Sequence, residues 1–256
     1  MTDFPPNEEN PERIPVEPFE IPALQTPEEP EYRKSRLSYL TLFFLLIFWP
    51  LSSIIFVTDP SEVLKALSVS PIFLVYLPTM VIQWLVFLLI FVTTYREQTG
   101  LRSIGFKRIR AIDFLWAIAF LLASNLILTL LSLLLKTVHL EIPGELELIL
   151  PKTANERILW ILLSITAGIC EEAAFRGYLI TRIKIFGRTK SWVLPVVLAS
   201  LAFGSGHAYQ GLGGFLLISI YGAMFALLFL RTGSLWPPII AHFFQDFSAI
   251  FFPFQK

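Results

Sequence analysis

Glu171, Glu172 and Arg176 interrupt a stretch, residues 158–180, that is otherwise dominated by apolar and small side chains. Its length and composition predict a membrane-spanning helix. One charge at the centre of a bilayer costs roughly 2.5–3.5 kcal/mol on insertion scales, so three unpaired ones would cost roughly 8–10 kcal/mol. Glu172 and Arg176 are four residues apart and can pair on one helix face. Glu171 points about 100° away and finds no partner within its own turn. An unpaired carboxylate in a membrane is free for water, a metal or a substrate. Two histidines fall in later apolar segments: His207, closing Phe203-Gly-Ser-Gly-His207, and His242, with Asp246 one turn after it. Glu171, His207, His242 and Asp246 together suggest one hydrated pocket. There a carboxylate beside an imidazole can take a proton from water, and a second imidazole can support an oxyanion. A buried polar knot that only locks helices together is the plainer reading of the same residues. His139 falls in an acidic loop and reads as solvated.

The rest of the chain must hold those groups. Of its 256 residues 55% are hydrophobic and only 16% charged, with no net charge, and the mean hydropathy is +0.66. These values point to a multi-pass membrane protein and away from nucleic-acid partners. A single cysteine, Cys170, excludes an internal disulfide framework. The first residues are acidic and Pro-rich, unlike a cleavable signal peptide; the tail to residue 32 holds eight of the 18 prolines. Residues 1–36 are therefore expected to be a disordered cytoplasmic arm.

Apolar runs at 37–57, 71–94, 114–135, 158–180, 192–207, 213–230 and 236–252 predict an all-α, polytopic transmembrane helix bundle of about seven spans, between six and eight. The division expected is N-terminal transmembrane helices over 37–154 and a catalytic core over 155–256. The last four runs are shorter or carry polar residues, as helices around a wet cavity would. Trp116, Trp160, Trp192 and Trp236 fall near predicted helix ends, where interfacial rings prefer to sit. Lys and Arg crowd the segments before residue 37, from 96 to 110 and from 182 to 190, which places the N-terminus in the cytoplasm. By the same topology His207 comes out nearer the outside than Glu171 and His242. Either the helix around Trp192 has other bounds, or the Gly-rich stretch to Gly214 dips back into the protein. No eukaryotic sorting signal is evident, which favours a bacterial plasma membrane. There is no internal repeat.

Three motifs in order, Glu171-Glu172-Ala173-Ala174-Phe175-Arg176, Phe203-x-x-x-His207 and His242-x-x-x-Asp246, resemble the signature of the CPBP intramembrane proteases. This family, also called Abi, includes the CAAX prenyl endopeptidases of the Rce1 kind and bacterial relatives. The resemblance spans roughly 156–252. It implies an intramembrane endopeptidase acting on a membrane-associated or lipidated protein or peptide. Glu171 would activate water with His207, His242 and Asp246 would form the oxyanion site, and Glu172 with Arg176 would be a structural ion pair. No cofactor is then required. The last position often holds Asn in the prenyl-protein enzymes, and here it is Asp. An ionised Asp cannot donate to an oxyanion, so Asp246 would be protonated, orient His242 or bind a metal.

Other chemistries use the same residues. Glu171, His207, His242 and Asp246 could ligate a divalent metal such as zinc, although no HExxH motif is present. Ser205 with His242 would be a rhomboid-like pair, but Phe203 stands where that motif has Gly. Cys170 sits in an apolar helix without a basic neighbour to activate it. A transporter could use buried Glu, His and Asp as well, though the chain lacks the repeated halves many transporters carry. A non-catalytic membrane partner or immunity protein on the same fold is the remaining alternative.

Overall fold

A computed structural model describes residues 33–55 and 59–251. Most of the expected N-terminal arm, up to residue 32, lies outside them, as do the ends of the runs at 37–57 and 236–252. The described residues are helical and contain no strand. The helices are α1 (Arg36–Ile55), α2 (Pro60–Ser68), α3 (Ile72–Arg96), α4 (Ala111–Thr137), α5 (Ala154–Phe186), α6 (Val193–Ser205), α7 (Gly211–Thr232) and α8 (Trp236–Ser248). All seven apolar runs are thus helices of an all-α polytopic bundle.

Five of them, α1, α3, α4, α5 and α7, are long and apolar enough to cross a membrane. The other two, α6 and α8, have 13 residues each. At 1.5 Å per residue that is about 20 Å, short of the roughly 30 Å hydrocarbon core. Both short helices belong to the part of the molecule where the candidate residues gather.

Local signals set the bounds. Thr153 opens α5 with a capping box: its hydroxyl accepts from the Glu156 amide at 3.3 Å, and the Glu156 carboxylate accepts from the Thr153 amide at 2.8 Å. Pro237 and Pro238 occupy the first turn of α8, where missing amide protons cost nothing. Gly233 ends α7 in the left-handed region, φ 59°, its amide donating to Phe229 O at 2.7 Å. Helix α5 runs to Phe186, six residues beyond the expected end at 180, with Gly187 as its C-cap.

Helix α5 is the central post. Half of its apolar window is buried, against 11% for α4, whose Leu-rich surface faces outward. It packs against α3 and α8, and the α6–α7 hairpin closes the other side. Lipid is as apolar as leucine, so close fit and polar contacts hold such helices together. At Gly177 a Cβ would stand 2.8 Å from the Ile104 carbonyl oxygen, so only glycine lets the loop after α3 lie against α5. That loop then ties to α8: Leu235 N donates to Gly105 O at 3.0 Å and Trp236 Nε1 to Lys107 O at 2.6 Å.

Candidate active site

Residues Glu172–Leu179 of α5 form a π-helical segment, a wider turn than the α-helix on either side. It starts at the two glutamates and contains Arg176. Such turns are frequent at functional sites. Nothing in the apolar pattern announces it.

Within this segment Arg176 Nη1 donates to Glu172 Oε1 at 2.9 Å, with both side chains sealed from solvent. The guanidinium lies between two rings, 4.1 Å from the Phe203 centroid and 4.9 Å from that of Phe225. Cation–π attraction offsets part of its lost hydration. Glu172 has a second partner absent from the sequence reading: His242 Nδ1 lies 2.8 Å from the same Oε1. The carboxylate can only accept, so Nδ1 carries the proton, and Nε2 faces the opposite way.

That opposite side is the candidate reaction centre. His242 Nε2 is 3.8 Å from Glu171 Oε2 and 3.5 Å from Asp246 Oδ2. Glu171 and Asp246 keep 20% and 35% of their side-chain surface open, whereas Glu172 keeps none. The two adjacent glutamates thus divide: one can meet a substrate and the other can only support. Asp246 is anchored through its backbone, whose carbonyl accepts from Trp160 Nε1 at 2.8 Å. Trp160 therefore pins α8 to α5, a use different from the interfacial anchor expected of it.

His207 occupies the turn between α6 and α7, because α6 stops at Ser205. Its ring packs on Phe203 at 5.3 Å between centroids, and Phe203 in turn lies 6.3 Å from the His242 ring and 5.2 Å from Phe175. His207 is within electrostatic reach of Asp246 and His242. Among the described residues, the histidine paired with Glu171 is His242, and His207 Nδ1 faces the Phe203 carbonyl at 3.3 Å. The depth conflict of the sequence reading is resolved by the short α6, which brings the chain back at Gly206–Gln210.

Gln83, missed by sequence reasoning, reaches Glu171 from α3: its Nε2 donates to Glu171 Oε1 at 2.6 Å. Its signal was a lone amide in an otherwise apolar run. Beside this bond lies a small pocket of about 30 Å³, lined by Phe44, Leu45, Trp49 and Phe175, with Gln83 and Glu171 as its polar members. Ser205 donates to Ala202 O at 2.6 Å within its own helix, and Cys170 is buried.

Among the described residues, no three His, Cys, Asp or Glu side chains are grouped to hold one metal ion. His242 Nδ1 is taken by Glu172, and His207 lies beyond Phe203. The set Glu171, His207, His242 and Asp246 is not gathered to hold a single zinc as placed.

Comparison with known families places this constellation. Residues 153–248 match the Type II CAAX prenyl endopeptidase Rce1-like family. That match supports the CPBP resemblance of the three motifs. The match covers α5 to α8 and the turn that holds His207, and so all six candidate residues. The chain is accordingly a membrane protein with a CAAX-protease-like peptidase domain. No curated protein and no solved structure matched the chain.

Proposed function

We propose that this protein is a metal-free intramembrane endopeptidase that hydrolyses a peptide bond of a membrane-associated, lipid-modified substrate, with Glu171 as the base. The observation that carries this reading is the convergence of Glu171 and Asp246 on His242 Nε2 beside a small, mostly apolar pocket. A water held by Glu171 loses a proton to the carboxylate as its oxygen attacks the scissile carbonyl carbon. The carbonyl oxygen becomes an oxyanion and takes a hydrogen bond from His242 Nε2–H. With Nδ1–H already given to Glu172, donation from Nε2 makes His242 an imidazolium, and Glu172 balances that charge. Asp246 keeps the ring in orientation. Glu171 then returns its proton to the amide nitrogen, the C–N bond breaks, and an amine and a carboxylate leave. The basic segments around 96–110 and 182–190 support a cytoplasmic N-terminus.

The test uses the full chain in proteoliposomes with a quenched fluorescent peptide ending in a farnesylated CAAX sequence. Wild type should cleave it. Glu171→Gln should lower the rate by more than about 10³-fold while inserting and melting as wild type does. Cleavage by Glu171→Gln at the wild-type rate would remove Glu171 from the mechanism.

A further inference from the structure

The Gln83 amide has two ends, and only one is used. Its N–H end must face Glu171, because a carboxylate accepts and cannot donate. The carbonyl Oε1 is then left buried and without a hydrogen-bond partner. A buried acceptor with no donor is uncommon in folded proteins and calls for an explanation. Gln83 is itself buried, with relative exposure 8%, between Ile82 and Trp84 on a largely apolar helix. A leucine would suit that position better if packing were all that mattered. The orphan oxygen stands beside the one carboxylate of the site that the pocket reaches.

Resting on the hydrolytic reading above, we propose that Gln83 is the residue that positions the attacking water. Its N–H fixes Glu171 Oε1, which leaves Oε2 on the side of His242. Its Oε1 accepts the second O–H of the water whose first proton goes to Glu171. Holding both protons aims the oxygen lone pair at the scissile carbon instead of leaving the molecule free to turn. An amide suits this task because it neither gains nor loses a proton during turnover, and a second carboxylate there would repel Glu171. The catalytic domain matched at 153–248 thus borrows one functional group from α3, outside its own bounds.

Water is not a variable substrate, so losing its alignment lowers kcat and leaves KM nearly unchanged. The experiment measures both constants on the farnesylated reporter in proteoliposomes for wild type, Glu171→Gln, Gln83→Leu and Gln83→Asn, with melting temperatures alongside. Gln83→Leu should lose about 10²-fold in kcat with KM within about threefold, the scale of a misplaced reacting group. Gln83→Asn keeps both amide functions on a shorter stem and should recover at least about tenfold of that loss. Wild-type kcat in Gln83→Leu, or a rise in KM alone, with Glu171→Gln inactive, would overturn the role of Gln83 and spare that of Glu171. If Glu171→Gln keeps full activity, or the wild type is inert on the reporter, the hydrolytic reading fails and Gln83 falls with it. Should Gln83→Leu not fold, Gln83→Asn decides: full kcat in a folded Asn variant overturns the proposal.

Discussion

Two buried ion pairs sit on the same helix and are built in opposite ways. Glu97–Arg182, at the foot of α5, is saturated. Arg182 donates to Glu97 Oε2 through Nε at 2.9 Å and Nη2 at 2.7 Å, and reaches Ser103 Oγ at 2.8 Å and Thr181 Oγ1 at 3.0 Å. Tyr178 Oη donates to the remaining oxygen, Glu97 Oε1, at 3.0 Å. Glu172–Arg176 has one direct bond, and Glu172 Oε2 and Arg176 Nη2 have no hydrogen-bond partner. Its cation rests on rings, and its anion shares an oxygen with His242. A satisfied pair fixes geometry and has no capacity left. An under-satisfied pair remains able to answer a change of charge nearby, as an imidazolium forming at His242 would require.

The difference can be tested from its larger consequence to its smaller. Arg182→Ala should be the more damaging to folding, because it leaves Glu97 charged and buried and removes at least five donated hydrogen bonds at once. Breaking one side of such a pair costs about 3–5 kcal/mol in soluble proteins. Thermal unfolding in detergent should show a lower melting temperature, with kcat per folded molecule near wild type; unchanged melting would contradict the clamp. Arg176→Ala should lower both stability and kcat, since Glu172 loses its counter-ion and its hold on His242. Replacing Glu172 and Arg176 together by apolar residues should restore part of the stability and none of the activity. Wild-type melting of Arg176→Ala would break the comparison from the other side. His242→Ala should have the narrowest effect, a fall of about 10²–10³-fold in kcat, the usual loss with one oxyanion donor. Thorough chelation should leave wild-type turnover intact. A loss that added zinc restores would instead assign His242 to a metal.

The fold was largely legible because seven apolar runs have one stable solution in lipid, the helix. Lengths were less so: α5 runs past the fall in hydropathy to Phe186, and Ser205–Gly206 ends α6 early. Within the candidate site, Glu172 with Arg176 could be paired from spacing alone, whereas His242 on Glu172 joins residues 70 apart in sequence. Glu97 and Arg182 are 85 apart and fall in segments that read as ordinary basic loop and helix end. Gln83 was read as a span residue because uncharged amides barely perturb hydropathy. The nearness of His242 to Glu171 is a product of three crossing helices, and no periodicity encodes it.

The π-helical segment Glu172–Leu179 also acts as a phase-setter along α5. A residue in such a turn advances less around the axis than one in an α-helix. Everything beyond Leu179 is therefore rotated relative to the glutamates by an amount the wide turn dictates. Converting the segment to regular α-helix at unchanged length would rotate the lower half relative to the upper one. Arg182 would then leave Glu97 while Glu171 and Glu172 kept their aim. The reactive upper half and the clamped lower half are geared to each other by this one irregular turn.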